Sequence, residues 1–253
     1  MKKAAIILIA ILLCAGHGKY YVRIDKHETA IFPGIKGDTG LCEYNVKVHY
    51  FKCKTPLHQA LNKFTLENAF NKYIPAGPVT EADFKNYVQK NWEAFKGEFA
   101  IVNTELQAAG AVTYKKISES NILYQSKKYF VYGIYNQFIT GNPNPYFYRT
   151  YQVLNAKTGV QVPWQSLFND TLAIANIAQE HFRTQQNVEK GAPLSHAGWF
   201  YNGQFYLSKN YFFDKDNICF HYNIYEIAQY SDGETTIKVP LTEVKHLLKN
   251  SLK

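Results

Sequence analysis

The chain has 253 residues, of which 46% are hydrophobic and 16% aromatic, and a formal net charge of +8. This length fits one large domain or two small, closely packed ones, and the apolar fraction is ample for a core. The lysines are scattered without long blocks of like charge, so the surface is that of a soluble basic protein or of one that attracts an anionic partner.

Residues 1–18 have the layout of a secretory signal peptide, with a basic start, an apolar run at residues 4–13 and small residues near a cut at residues 16–18. An apolar run of about ten residues is too short for a membrane span, which needs about 20. We therefore predict a secreted or periplasmic protein with no transmembrane span and no nucleic-acid partner. Lipid anchoring through Cys14 is the less favoured alternative, because Leu13 stands where a lipoprotein site requires a small residue.

Three cysteines follow the predicted cut, Cys42, Cys53 and Cys219, and their pairing stays open. A bridge between Cys42 and Cys53 requires the segment between them to fold back, because about eleven residues of straight strand span over roughly 30 Å. A disulfide needs Cα atoms within roughly 7 Å of each other. Cys219 alternates with aromatic residues, which favours a buried core thiol.

The first elements after the cut are predicted strands. Residues 20–32 are expected to be extended, and residues 33–40 contain the proline and glycines of a loop. Residues 43–51 alternate apolar and polar side chains with a period of two, which predicts a half-buried strand. The residues on its inward face are Tyr44, Val46, Val48 and Tyr50.

Two helices are predicted next. Thr55 caps the first, which begins with a proline and runs to about Tyr73. Thr80, followed three residues later by Asp83, is a variant of the capping box and predicts the start of the second. Its apolar residues recur at three- and four-residue spacing as far as Phe99, as in a long amphipathic helix.

After residue 111 the period changes to two. We predict successive antiparallel strands at residues 111–118, 121–126 and 129–138, and a further strand at residues 146–154 after the turn-rich loop at 140–145.

The remaining elements form a mixed series. A tight turn at residues 155–159 leads to a helix at 171–186 that Asp170 caps. Strands are predicted at residues 200–213, 218–224 and 235–239, followed by a closing helix at 241–252.

Together these elements predict an α+β fold, in which an antiparallel sheet packs against helices, with a helix-rich N-terminal part and a closing C-terminal helix. We divide the chain into the signal peptide, residues 1–18, a smaller N-terminal α/β subdomain, residues 19–110, and a larger C-terminal antiparallel-sheet subdomain, residues 111–253.

The usual catalytic motifs are missing from the sequence. It contains no Gly-x-Ser-x-Gly elbow, His-Glu-x-x-His, P-loop or Cys-x-x-Cys, so we predict no catalytic residue, cofactor or metal. His221 lies two residues from Cys219, which indicates two neighbours on one sheet face or, with further ligands, a metal or thiol–imidazole site. A glutamate at the position of Glu226 more often caps a turn or pairs with a lysine than acts as a catalytic acid. Glycoside hydrolysis would need a second, convergent carboxylate, for which Asp232 is a candidate only by its proximity in sequence.

Two aromatic clusters follow loops and are the candidate ligand-binding residues. Exposed rings on loops suit sugar or protein recognition; the alternative is a sheet covered by helices on both faces. The first cluster comprises Asn142, Asn144, Tyr146 and Tyr148, and the second comprises Trp199 and Tyr201.

The segment Phe220-x-Tyr222-x-x-Tyr225-Glu226-Ile227-Ala228-x-Tyr230-x-x-Gly233 resembles the C-terminal signature of a secreted bacterial domain family of unknown function. That domain occurs in the extracytoplasmic part of the lysozyme-sensing anti-sigma-V factor RsiV and in the non-catalytic region of a peptidoglycan deacetylase. Residues 151–168 are similar to the family's central region. The family often has a Gly-Gly-Ala-His segment where this chain has residues 140–145, so no role of that histidine carries over. The signature residues carried over are Tyr225, Glu226, Ala228, Tyr230 and Gly233.

The resemblance implies an exported, non-enzymatic binding domain. Its expected partner is a cell-envelope glycan such as peptidoglycan, or a lysozyme-like protein. Neither deacetylase nor anti-sigma activity is expected, because the sequence contains neither of those regions. The alternatives are an envelope glycan hydrolase that uses Glu226 and a structural or assembly protein of the envelope. The loops at residues 142–148 and 198–203 are the first places to look for a site.

Overall fold

The computed structural model describes residues 21–33, 39–52, 54–70, 77–106, 112–141 and 144–249. The predicted signal peptide, Cys14, Cys53 and Asn142 lie outside these residues. The described residues divide into two compact units: one holds those up to 121 together with 134–149, and the other holds 122–133 and those from 150 onward. The predicted division at residue 110 stays a prediction. No helix in the described ranges is long and apolar enough to cross a membrane.

The larger sheet has five strands in the order of the chain: β1 (Tyr21–Pro33), β2 (Thr39–Phe51), β3 (Thr113–Gln125), β4 (Tyr129–Thr140) and β5 (Tyr146–Asn155). β1 and β2 are antiparallel, whereas β2 and β3 are parallel. The α+β class is therefore confirmed, but the larger sheet is mixed rather than wholly antiparallel. Parallel neighbours need a long crossover connection, and the two helices between β2 and β3 supply it.

The predicted break between residues 118 and 121 is wrong, since both segments belong to the single strand β3. Ser118 and Ser120 are buried on its inward face and find partners there. Ser118 Oγ donates to Asn136 Oδ1 at 2.7 Å, and Ser120 Oγ accepts from His49 N at 2.8 Å. These polar residues predict a turn in the sequence, but their hydrogen-bonding groups find partners within the sheet.

Both predicted helices of the crossover begin at the predicted caps. α1 (Pro56–Phe70) follows Thr55, whose Oγ1 accepts from the N–H of His58 at 3.3 Å. α2 (Glu81–Leu106) follows Thr80; Thr80 Oγ1 accepts from Asp83 N, and Asp83 Oδ2 accepts from Thr80 N, both at 3.1 Å. This reciprocal pair is the predicted capping box. The predicted end of α1 at Tyr73 lies outside the described residues.

Aromatic contacts between β2 and α2 build the core of the first unit. The predicted inward face of β2 is confirmed, because its side chains are all buried. The ring of Tyr44 lies 5.6 Å from that of Trp92, and the ring of Tyr50 lies 5.4 Å from that of Phe84. Such tilted ring pairs add to the free energy gained by burying their area.

The second unit packs α3 (Thr171–Gln185) on a three-stranded antiparallel sheet of β6 (Tyr211–Phe213), β7 (Asn217–Tyr222) and β8 (Thr235–Pro240). Asp170 caps α3 as predicted, because its Oδ1 accepts from the N–H groups of Leu172 and Ala173.

Two predictions for the second unit are wrong. Residues 200–213 form a strand only at β6, because the rings of Phe200 and Phe205 pack in an irregular segment against Phe182. The closing helix is one α-turn, α4 (Leu241–Val244), and a 3-10 turn that ends at Leu247. It stops there because the backbone of residues 247–249 pairs with that of residues 167–169.

Cys42 and Cys219 are free, buried thiols. Burial raises the pKa of Cys42 to about 11 and, together with the nearby carboxylate of Asp214, that of Cys219 to about 12. The prediction of a buried core thiol at Cys219 is confirmed. At these pKa values neither group is a thiolate at neutral pH, so neither is a reactive cysteine.

Replacing Asn62 by alanine tests the junction of β2 and α1. Asn62 is fully buried; its Oδ1 accepts from Phe51 N at 2.8 Å and its Nδ2 donates to Phe51 O at 2.9 Å. Losing both bonds should lower the free energy of unfolding by about 2 kcal/mol in urea denaturation. The neighbouring Lys63→Ala change should stay within about 0.5 kcal/mol. Equal effects of the two changes would contradict this role of Asn62.

Candidate functional site

The first unit contains a cavity of about 500 Å³, which is within the usual range of small-ligand sites, roughly 300–1,000 Å³. We name it the Lys116 cavity. Helices α1 and α2, strands β3 and β4 and the start of β5 supply its walls. The lining residues are Asn68, Ala69, Phe70, Asn91, Ala94, Phe95, Glu98, Lys116, Phe138, Thr140 and Tyr148.

Lys116 lies on the inward face of β3, and its residue is only 4% exposed. The strand alternation that buries Tyr114 also points Lys116 inward. Its Nζ donates to Asn91 Oδ1 at 2.7 Å, and the same oxygen accepts from the hydroxyl of Tyr44 at 2.9 Å. Among the described side chains, no carboxylate lies within 4.0 Å of this Nζ, whereas Lys115 on the opposite face pairs with Glu43 at 2.9 Å.

Three aromatic rings surround the amine. Its Nζ lies 5.8 Å from the ring centre of Tyr44, 5.7 Å from that of Phe70 and 5.4 Å from that of Phe138. The faces of such rings attract a cation within about 6 Å. The rings therefore hold the ammonium in place of a carboxylate partner.

Burial lowers the pKa of Lys116 to about 8, against the smaller opposing effect of Glu98. The amine is thus mostly charged at neutral pH, and burying that charge among apolar groups lowers the stability of the fold. A strongly perturbed group in a cleft marks a candidate functional site.

The last turn of α1 is tied to the walls of the cavity by side chains from other elements. The carbonyl of Asn68 accepts from Asn136 Nδ2 at 3.0 Å and from the hydroxyl of Tyr148 at 3.3 Å. The carbonyl of Phe70 accepts from Asn91 Nδ2 at 3.4 Å. Carbonyls at a helix C-terminus have no partner within the helix, so these bonds fix the position of the α1 end beside the cavity.

Of the first predicted cluster, the structure brings Tyr148 into the cavity wall. Its ring stacks on Phe138 at 6.3 Å, and burial raises its pKa. Tyr146 lies 5.9 Å from Tyr148 between ring centres and is half exposed, and Asn144 is exposed. Tyr148 and Tyr146 are therefore neighbours, but Tyr148 lines the cavity whereas Tyr146 is exposed to solvent.

The second predicted cluster lies in the second unit and splits in two. Trp199 is half-buried and meets the ring of Phe182 edge-on at 5.4 Å. Tyr201 is exposed, and its hydroxyl donates to the carbonyl of Ala228. Trp199 thus belongs to the core of this unit, while Tyr201 covers the signature turn.

The signature residues form that turn. Glu226 Oε2 accepts from Asn223 N at 2.9 Å, and Glu226 N donates to Asn223 O at 3.1 Å. Glu226 therefore caps the turn, which is the role preferred for it above. Tyr225 has a φ of +64°, a left-handed conformation, and its ring lies 5.6 Å from that of Tyr230; Gly233 has a φ of +71°.

Cys219 and His221 are buried neighbours on β7. The ring of His221 bonds to Thr236 Oγ1 at 2.9 Å and to Asn223 Oδ1 at 3.3 Å, while Cys219 Sγ lies 3.6 Å from Asp214 Oδ2. The described residues hold no group of three His, Cys, Asp or Glu side chains that fits a metal ion. The pair is therefore accounted for by the packing of this sheet.

Sequence reasoning missed Lys116, Asn91, Phe70 and Phe138 as members of a site. One signal was available for Lys116. Residues 114, 116, 118 and 120 share the strand face that the buried Tyr114 assigns to the core, so a lysine there has to be buried. The meeting of Asn91 and Phe70 with this lysine depends on how α1 and α2 pack, which no local pattern gives.

Replacing Lys116 by methionine tests the cost of its buried charge. The unfolded chain, where the pKa is near 10.5, binds more protons than the folded one between pH 8 and 10.5. The wild type therefore carries the full cost below pH 8 and is relieved of it as the pH rises to 10.5. We expect Lys116→Met to raise the free energy of unfolding by about 2 kcal/mol at pH 7, and the gain to shrink towards pH 10.

The measurement is urea denaturation at several pH values, with Lys115→Met as the matched control. Tyrosine ionisation is common to all three proteins and cancels in the differences. The control should stay within about 0.5 kcal/mol without a slope over this pH range. A loss of stability in Lys116→Met at pH 7 would contradict a costly buried ammonium.

Residues 165–242 match the model of a family described as a protein of unknown function (DUF3298). Solved structures are similar over most of the chain, and two of them are described as members of this family. One, of a member of that family from Bacteroides fragilis NCTC 9343, has a TM-score of 0.73 and 23% identity, and covers 92% of this chain and 94% of its own. The other, of a DUF3298 family protein from Pseudomonas aeruginosa PAO1, has a TM-score of 0.59 and 14% identity, and covers 93% and 97%. No curated protein matches the chain. At these identities the likeness shows the fold, and the matched segment includes the signature turn.

Proposed function

We propose that the protein is an exported, non-enzymatic binding protein and that it binds a cell-envelope glycan, such as peptidoglycan, in the Lys116 cavity. The observation that carries this proposal is the composition of the cavity wall, which combines aromatic rings with a few convergent polar groups. The Asn91 amide and the Lys116 amine stand among the rings of Phe70, Phe138 and Tyr148. Small-ligand sites have this composition.

A sugar ring suits such a wall. Its C–H face is apolar and stacks on an aromatic ring, while its hydroxyl and acetamido groups point sideways to hydrogen-bonding partners. Tyr148 and Phe138 both line the cavity and lie nearly parallel, with 14° between their planes, and they are the rings proposed to stack on the sugar. Lys116 Nζ and the side chain of Asn91 provide polar partners on the same wall.

The net charge and the predicted localisation both support an envelope ligand. The net charge is +8, and removal of the predicted signal peptide with Lys2 and Lys3 leaves +6, a charge that attracts anionic polymers, including those of a cell wall. The predicted signal peptide and the resemblance to RsiV and to the non-catalytic region of a peptidoglycan deacetylase support an exported protein that works at the envelope.

The alternative of an envelope glycan hydrolase that uses Glu226 has less support. Its Oε2 accepts from the main chain of Asn223, and the hydroxyl of Tyr206 lies 3.5 Å from the Glu226 carbonyl. Capping its own turn is therefore a sufficient structural role for Glu226, and no role as a catalytic acid is needed to explain it.

Replacing Tyr148 by alanine tests the glycan proposal. The change removes the stacking surface, so retention on purified, insoluble peptidoglycan should weaken about tenfold, equivalent to about 1.4 kcal/mol. Tyr148→Phe keeps the ring, and Asn136 Nδ2 still donates to the Asn68 carbonyl, so this variant should bind like the wild type. Co-sedimentation at increasing peptidoglycan concentration measures both.

The matched control is Tyr201→Ala, an exposed tyrosine of the second unit, which should not change retention. Circular dichroism of each variant separates loss of binding from loss of fold. Wild-type protein that stays in the supernatant at every peptidoglycan concentration would overturn the proposal.

A second candidate partner, a lysozyme-like protein, is favoured by a different surface. Tyr201, Tyr206 and Tyr225 are 63%, 43% and 56% exposed, and we name them the tyrosine surface. The hydroxyls of Tyr201 and Tyr206 both donate to main-chain carbonyls of the signature turn. Tyrosine is among the residues that most often carry the binding energy of a protein interface.

Replacing Tyr225 by alanine tests this second candidate. If the tyrosine surface binds a lysozyme, affinity for purified lysozyme in surface plasmon resonance should fall at least about tenfold. Tyr146→Ala, a half-exposed tyrosine of the first unit, is the control and should leave affinity unchanged. Lysozyme binding that survives Tyr225→Ala would exclude this surface.

A further inference from the structure

We infer that the Lys116 cavity selects ligands that carry a carboxylate, so that the glycan bound there is an acidic sugar. This inference rests on the proposed function and narrows its ligand from glycans in general to those with an anionic group. Four observations carry it: the burial of the amine, its hydrogen bonding, the carboxylates around it and its access to the cavity.

The ammonium group of Lys116 has N–H donors that are not used within the described structure. An ammonium carries three N–H donors, and one hydrogen bond, to Asn91 Oδ1, accounts for the first of them. That oxygen is shared with the hydroxyl of Tyr44. Within the described residues, we find no further hydrogen bond from this Nζ. The remaining donors are therefore available to a ligand in the cavity that Lys116 lines.

The charge of Lys116 also has no carboxylate within 4.0 Å among the described residues. A buried charge is normally paired, and even the half-buried Lys115 on the opposite face is paired with Glu43. At Lys116 the rings of Tyr44, Phe70 and Phe138 supply only the weaker attraction of aromatic faces. A carboxylate of the ligand would complete an ion pair where water is largely excluded and such a pair is strong.

Glu98 is the group that opposes an anionic ligand. It lines the cavity, but its side chain is exposed and lies beyond 4.0 Å from Lys116 Nζ in the described structure. Solvent and salt screen the charge of Glu98 more than that of the buried amine. The cavity therefore attracts an anion at its inner end, and removing the charge of Glu98 should strengthen that attraction.

Two disaccharides that differ by one acidic group test the inference. N-acetylglucosaminyl-N-acetylmuramic acid carries a lactyl carboxylate where N,N′-diacetylchitobiose has a hydroxyl. Titration calorimetry of the full-length protein should give the acidic disaccharide about a tenfold lower Kd. Lys116→Met should abolish this preference, and Glu98→Gln should increase it.

The variants separate charge from fold. Glu98→Gln changes an exposed side chain and reports on the electrostatics even if Lys116→Met rearranges the cavity; Lys115→Met should keep the wild-type preference. Equal affinities in the wild type, or a preference that persists in Lys116→Met, would overturn the inference. If the wild type sediments with peptidoglycan but shows no acidic preference, the inference alone fails. If it binds neither the polymer nor either disaccharide, the proposed function fails with it.

Discussion

The parallel pairing of β2 and β3 is the constraint on which the first unit depends. Two parallel neighbours cannot be joined by a tight turn, so the chain must return along the sheet through α1 and α2. These helices then cover one face of β2 and β3. Because strand side chains alternate, every second residue of β3 from Tyr114 to Ser120 lies on the covered face. Lys116 is buried for this reason, whatever its own preference for water.

The covered face then has to satisfy the polar groups placed on it. Ser118 bonds to Asn136, and Asn136 in turn donates to the carbonyl of Asn68 in the last turn of α1. Lys116 bonds to Asn91 of α2. These side chains join both crossover helices to the sheet by hydrogen bonds as well as by apolar packing, and only the spare donors of Lys116 lack a partner in this network among the described residues. The cavity is bounded by this network, which gives it a fixed shape.

Local signals predicted the helix starts and the inward face of β2, because helix caps and the alternation of apolar and polar side chains depend only on residues that are close in sequence. Asp170, Thr80 and Asp83 act where the sequence places them. The site was predicted only at Tyr148. The rest was out of reach of local patterns, since Asn91 and Lys116 meet only through the packing of α2 on β3. The irregular segment after Phe200 was missed for a similar reason: its aromatic residues fit a strand pattern, but their rings pack around Phe182.

The second unit shows how packing overrides local preference at the signature turn. Phe200 and Tyr225 have φ values of +51° and +64°, which cost roughly 1 kcal/mol or more each for residues other than glycine. The N–H of Phe200 donates to the carbonyl of Ile227 at 2.6 Å, and the Phe200 ring meets those of Phe182 and Tyr222 edge-on. The strain at Phe200 is thus offset by a buried aromatic cluster, whereas Tyr225 is exposed and its ring meets that of Tyr230. The packing of its own unit thus accounts for the signature turn, whereas at Lys116 a buried charge has no carboxylate within 4.0 Å among the described residues, an arrangement that reduces stability.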